Sequence, residues 1–505
     1  MRQPSHRPPG WLLALLVLVA FAFQGTRGLW EPDEGRYTTT AVNMLDGGNW
    51  LVPTIDREHA HLTKPPLTYW AVAASIGLLG HHEWAARLPG ALAFVGTGLL
   101  VFGLGRRFCP ARPWLPAVVW SLSLAPVMGA NIVSTDALLA FFETAAMYAF
   151  VEAWSRDGPA RRRWLLGMWL GWGLAFMTKG PPGLLPLAAM VAFLAIHDRP
   201  RLRGLFAFPG LLVFAVVAFT WFALVVRQQP DRLGYFLGYE VYDRVFTAAH
   251  NRNSHWYGAF EVYVPVLVVG ALPWWALALA AAGGPRAAWH RVRERVRARD
   301  RATLLLLYWF VVPLVVFCLA RSRLYLYVLP LFVPLAIVLA RSLATWPWLD
   351  DRRLAAIAVA TAVVLLAVKG GTAYWPHDRD ARRIAAAIGP VVERQRATEV
   401  AFVNMRPYYG ITLYLRLPAE DVRIAEPHRP YSGFAESDDL CTEVAERENS
   451  LYATKRAGAD AFLAAVARCG GPQPVEVGHF EADGREIALY MMRGQPAVPL
   501  AGEPD

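Results

Sequence analysis

The sequence predicts a multi-span α-helical membrane protein with a small α/β domain at its C-terminal end. Three observations carry that reading. Hydrophobic residues make up 55% of the 505 residues, with 20 Trp and a mean hydropathy of +0.29. Most charges fall in loops between apolar runs close to the ~20 residues that cross a hydrocarbon core. From about Tyr374 onward the composition becomes an ordinary globular mix.

Eleven apolar runs are expected to span. The first, Trp11 to Phe23, reads as a retained span rather than a cleaved signal peptide, because many spans follow it. The others lie at about Ala85 to Gly105, Trp114 to Ile132, Ala137 to Trp154, Trp164 to Met177, Pro182 to Ile196, Leu205 to Val226, Phe260 to Ala282, Thr303 to Ala320, Leu324 to Ala340 and Leu354 to Val368. A membrane domain over residues 1–372 and a soluble domain over 373–505 follow from this spacing.

The net charge of +10 comes largely from arginine, and its placement decides what it means. Arg106, Arg107 and Arg112 mark one loop; Arg156 and Arg161 to Arg163 the next; then Arg199, Arg201 and Arg203. Arg286 to Arg301 and Arg341 to Arg353 complete the series. These are alternate loops, as the positive-inside rule requires of cytoplasmic ones. The basic balance therefore reports topology, and no nucleic-acid partner is expected. The loop after the first span and the C-terminal domain then both lie outside the cytoplasm. Of the four cysteines, Cys441 and Cys469 share the soluble tail and could pair there, whereas no spacing suits a structural metal.

The C-terminal part has a helix-like stretch at Arg379 to Arg394, a strand at Glu399 to Asn404, a helix at Tyr408 to Leu415 and a strand pair around Val475 to Met491. No catalytic motif is visible within it.

Chemistry concentrates in Leu29 to Trp70, the first outer loop. Glu31, Asp33, Glu34, Arg36, Tyr37 and Lys64 gather where the chain leaves the membrane, and unpaired charge is costly there. Asp33 to Leu45 and Pro65 to Leu79 suit interfacial helices, as does Arg232 to Ala249 later in the chain. On the first of these, Asp33 shares a face with Arg36 and Tyr37. Acids in a first turn also simply complement a helix dipole. Lys64 stands before Pro65-Pro66 at a helix N-terminus, where a cation and free N–H groups suit an anion such as phosphate, or where a lysine merely snorkels. Asp136 lies at the outer end of a span with Ser134 or Thr135 as a cap. The same topology places Lys179, Arg244, His255 and the Arg321 to Tyr327 segment outside.

These stretches, WEPDEGRY, TKPPLTYW, STDALLAFF, TKG and SRLYLYVLP, resemble in order those of bacterial membrane glycosyltransferases of the GT-C fold. The likeness is to aminoarabinose transferases that modify lipid A, within the dolichyl-phosphate-mannose protein mannosyltransferase-like group, and it covers about Trp11 to Ala340. The resemblance implies a GT-C fold and transfer, with inversion, of 4-amino-4-deoxy-L-arabinose or a related sugar from undecaprenyl phosphate to lipid A. A protein or another glycan is the alternative acceptor, and a lipid-linked sugar transporter the alternative class. It implies Asp33, Glu34 and Asp136 as catalytic acids, and Lys64, Arg36, Tyr37, Arg244 and Tyr327 as substrate- and phosphate-binding residues; Lys179 and His255, on the same outer surface by topology, are expected to join that binding set. Thr63 stands where many relatives have glutamate. No dedicated metal constellation is expected, although Asp33 with Asp136 could hold a divalent ion through oxygen ligands. The location implied is the inner membrane, with the active face and C-terminal domain toward the periplasm.

Overall fold

Each of the eleven apolar runs folds as helix in a computed structural model of the chain. The structure describes residues 7–56, 59–238, 253–424, 437–446 and 448–492. Among these, six helices are long and apolar enough to cross a membrane: Glu83–Phe108, Asp136–Trp154, Phe208–Gln228, Arg301–Leu319, Tyr325–Leu343 and Asp351–Tyr374. The pair Gly258–Val269 and Trp274–Ala281 makes a seventh with a 76° bend. Pro273 sits at that break, where its ring and missing N–H interrupt the helical ladder. Trp114 to Ile132 is likewise broken, into Leu115–Ser121 and Leu124–Ala130. Pro126 cannot donate to the carbonyl four residues earlier, so the first segment ends before it.

Large apolar side chains on Phe208–Gln228, among them Phe208, Leu212, Val216 and Phe219, are exposed. Such a face needs lipid rather than water as its solvent. The protein is thus a multi-pass membrane protein.

The chain divides into two compact units. The first comprises Met1–Gln24, Thr63–Thr68 and Arg87–Thr372; the second comprises Gly25–Leu62, Tyr69–Ala86 and Ala373–Asp505. At one end of the first unit the five basic loops are joined in a closed ring of polar contacts. Arg107 pairs with Glu152 at 2.9 Å, and the Trp154 indole donates to Asp198 at 3.2 Å. Asp198 meets Arg301 at 3.5 Å, Asp300 meets Arg341 at 3.0 Å, and Asp351 returns to Arg112 at 3.3 Å.

In the second unit a six-stranded sheet runs in the order β3-β2-β1-β4-β6-β5. The strands are β1 Glu399–Val403, β2 Ala419–Arg423, β3 Asp438–Asp439, β4 Ser450–Lys455, β5 Pro474–Ala482 and β6 Arg485–Met492. β1 pairs in parallel with β2 and β4, and it is buried along its whole length, as a central parallel strand must be. The helix Ala381–Gln395 covers one face through Ile384, Ile388 and Val392. The helices Leu440–Glu446 and Ala459–Arg468 cover the other through Leu440, Val444, Phe462 and Val466. A disulfide between Cys441 and Cys469 ties those two helices together.

Candidate active site

The motif helix begins where the sequence places it, at Asp33, and runs to Gly47 with Gly48 in the left-handed region at φ 68°. Glu34 is buried and turned back on its own N-terminus. It accepts from the Trp30 N–H at 2.9 Å and ion-pairs with Arg27, whose guanidinium lies 4.1 Å from the Trp30 ring centre. Each partner satisfies the other's buried charge, and together they hold the chain entering the helix. Asp33, by contrast, is 55% exposed at its side chain and touches Arg36 at 3.1 Å. Tyr37 stacks on Tyr69 with ring centres 5.6 Å apart.

Glu31 has a packing role that sequence reasoning did not single out. Its carboxyl accepts from the Gly410 N–H at 2.5 Å, and burial pushes its pKa up to about 8. It also explains Gly35, since a Cβ there would lie 2.2 Å from the Glu31 carboxyl. Gly35→Ala is therefore expected to destabilise the protein by about 1–3 kcal/mol. Thermal unfolding in detergent checks this, and a combined Glu31→Ala/Gly35→Ala variant should recover part of the loss.

In the first unit the fold brings together three of the sequence-predicted residues. Asp136 opens Asp136–Trp154, Lys179 closes Gly158–Lys179, and Tyr327 lies on the 3₁₀ segment Tyr325–Leu331. Lys179 Nζ ion-pairs with Asp136, the side chains being 8% and 9% exposed, and sits 4.4 Å from the Tyr327 ring centre. Such a desolvated cation–π contact contributes about 2 kcal/mol. Glu143, two turns further along the Asp136 helix, is buried within electrostatic reach of the same pair. Asp136 and Lys179 occupy the helix ends opposite the ring of basic loops, because each helix places its other end in that ring.

Lys64, also in the first unit, donates to the Thr63 carbonyl at 2.6 Å. His255 pairs with Glu261 at 2.7 Å on the surface. Arg244 lies outside the described residues, as does most of the expected interfacial element at Arg232 to Ala249. Arg323, in the Arg321 to Tyr327 segment expected on the outer side, is a backbone clamp: it donates to the carbonyls of Asn253 at 2.7 Å, His255 at 2.8 Å and Cys318 at 3.0 Å. Among the described residues one group offers metal-ligand geometry, the buried carboxylates Glu399, Glu420 and Glu443. No spacing in the sequence signalled it, since the three residues lie on two different strands and a helix.

Residues 63–225 match the family described as dolichyl-phosphate-mannose-protein mannosyltransferase. Two solved structures of ArnT from Cupriavidus metallidurans, one bound to undecaprenyl phosphate and one in the apo state, superpose with TM-scores of 0.73 and 0.74. Both are 21% identical to this chain and cover 97% of it, and the alignments take in 99% and 98% of their own lengths. The chain has the fold of these ArnT structures, the GT-C fold. Its similarity extends to undecaprenyl phosphate-alpha-4-amino-4-deoxy-L-arabinose arabinosyl transferases. Those of Edwardsiella ictaluri and Aeromonas salmonicida are each 33% identical, over 342 and 344 residues, or 66% of this chain. The matched stretch spans 59% of the length of either relative. Of the candidate residues on the ArnT-like fold, Lys64, Asp136 and Lys179 fall inside the family-matched segment, whereas Asp33, Glu34, Arg36 and Tyr37 precede it.

Proposed function

We propose that this chain is an inner-membrane glycosyltransferase. It moves 4-amino-4-deoxy-L-arabinose or a related sugar from undecaprenyl phosphate to lipid A on the periplasmic side. The observation that carries this reading is the Asp136–Lys179–Tyr327 cluster at the helix ends away from the five basic loops. By the positive-inside rule those loops are cytoplasmic, which puts the cluster at the opposite membrane face. The relatives' names and the undecaprenyl phosphate in the ArnT structure support the substrate class.

In this mechanism the leaving group is a lipid phosphate, and negative charge grows on it as the sugar–phosphate bond breaks. Lys64, Lys179 and Arg244 stabilise that charge, Tyr327 orients the phosphate, and His255 borders the donor. Asp33 is the principal carboxylate. With a hydroxyl acceptor it takes the proton released on attack; with an ionised phosphate acceptor it aligns the attacking oxygen. Attack from the face opposite the phosphate inverts the anomeric centre. Arg36 and Tyr37 hold Asp33 and the acceptor in register, while Glu34 positions the motif through Arg27.

The test is reconstitution of the purified chain in vesicles with undecaprenyl-phosphate aminoarabinose and lipid A, followed by mass spectrometry. One aminopentose added to lipid A is the expected product. An unmodified lipid A alongside a modified protein or other glycan would move the assignment to that acceptor. Loss of donor with no transfer to any acceptor would overturn it.

A further inference from the structure

One face of the C-terminal sheet collects acidic oxygens that the transfer reaction does not use. Glu399 faces Ser450 across the β1–β4 ladder, and Ala401 pairs with Glu420 on one side and Tyr452 on the other. Alternate strand residues share a face, so Glu399, Glu420, Ser450 and Tyr452 all project to the same side. The helix Leu440–Glu446 covers that side and supplies Glu443. One carboxylate oxygen from each glutamate lies within 4.8 Å of the other two. Glu399, Glu420 and Glu443 are 2%, 7% and 2% exposed.

A neighbouring phenol faces the same cluster. The Tyr452 phenol, 0% exposed and within electrostatic reach of all three carboxylates, has no hydrogen-bond partner among the described residues. Oε1 of Glu443 has none either. The other charges that bear on Glu420 are also acids, Asp56 and Asp438. Burial pushes Glu399 to about 8, Glu420 to about 10 and Glu443 to about 7, and nearby acids add to the rise, Glu443 at Glu399, Glu399 at Glu420 and Glu446 at Glu443. Buried like charges at this spacing are costly unless a proton or a cation lies between them.

We propose that Glu399, Glu420 and Glu443 hold a hard divalent cation such as calcium, with the Ser450 hydroxyl beside them and the Tyr452 phenol facing the site. The donor set is all oxygen, which selects hard cations over zinc. The ion would pin the Glu443 helix to the first residues of β1 and β2, next to the Cys441–Cys469 link. Asp56 extends the acidic set into the segment that follows the motif helix, through His59, which contacts Asp56 at 3.1 Å and Asp438 at 3.4 Å.

The full-length protein in detergent, stripped with EGTA, is dialysed against calcium chloride and measured for bound metal and thermal unfolding. One calcium per chain is expected, with an apparent Kd on the order of 10⁻⁴ M and a raised unfolding midpoint. Glu443→Gln and Glu420→Gln should weaken binding ~10-fold or more. Both should nonetheless fold, since in EGTA the neutral amide relieves repulsion and their midpoints should equal or exceed that of wild type. Asp33→Asn should keep its calcium; loss there would place the ion elsewhere and overturn the assignment. Equal midpoints in calcium and EGTA, with a midpoint that falls as pH rises from about 7 to 10, would show instead that the carboxyls share protons. That outcome also overturns the proposal.

Discussion

Asp33→Asn should lower the rate of sugar transfer about 10²- to 10⁴-fold while leaving the protein folded. The side chain is 55% exposed, and its observed partner is Arg36, one turn away. An exposed i,i+3 pair and a first-turn dipole contact together contribute about 1 kcal/mol at most. Asparagine keeps the shape and removes the charge and the basicity. Initial rates of transfer in vesicles, paired with a thermal unfolding curve, separate the two effects. The size of the rate loss also identifies the acceptor chemistry. A base for a hydroxyl gives a loss that shrinks at high pH, whereas an aligning carboxylate gives one independent of pH. A variant as active as wild type would remove Asp33 from the mechanism.

Lys179→Met should cost both stability and activity, because it leaves Asp136 buried without its cation. Breaking a buried pair from one side typically costs about 3–5 kcal/mol, since the abandoned charge stays desolvated. The cation–π contact with Tyr327 goes with it. Asp136→Asn combined with Lys179→Met removes both charges and should restore most of the stability. Activity should stay low in the double variant if Lys179 stabilises the leaving phosphate. If the double variant regains full activity as well, the pair is structural and the phosphate is held by other residues. Thermal inactivation in detergent and vesicle transfer rates read the two quantities independently.

How much of this was legible beforehand depended on whether the determining physics is local. Apolar runs and basic loops are written in consecutive residues, so the helices and their alternation could be read directly. The start of the motif helix at Asp33 followed from Pro32 and the first-turn acids, and its end from Gly47-Gly48. Long-range pairings left no such mark. Nothing local links Lys179 to Asp136, 43 residues earlier; topology put both on the outer side without pairing them. Glu34 reads from sequence like Asp33, yet only the fold reveals that Arg27 and the Trp30 N–H engage it. The same holds for Glu31, whose partner Gly410 lies 379 residues away. The three glutamates of the sheet stayed invisible because strand register, and not any motif, aligns them.

The second compact unit is assembled from distant parts of the chain, and this sets an order of events during synthesis. Gly25–Leu62 is made roughly 300 residues before Ala373. At a translation rate of about 5–20 residues per second, the interval is on the order of half a minute. Through that time Leu29 lacks the Tyr414 hydroxyl it bonds at 3.0 Å, Glu31 lacks Gly410 and Trp30 lacks the His377 ring stacked 4.8 Å away. The motif thus acquires its final geometry only when the last quarter of the polypeptide has emerged and folded. A nascent chain is therefore expected to stay inert until the segment beyond Ala373 has docked onto the strand of backbone around Trp30.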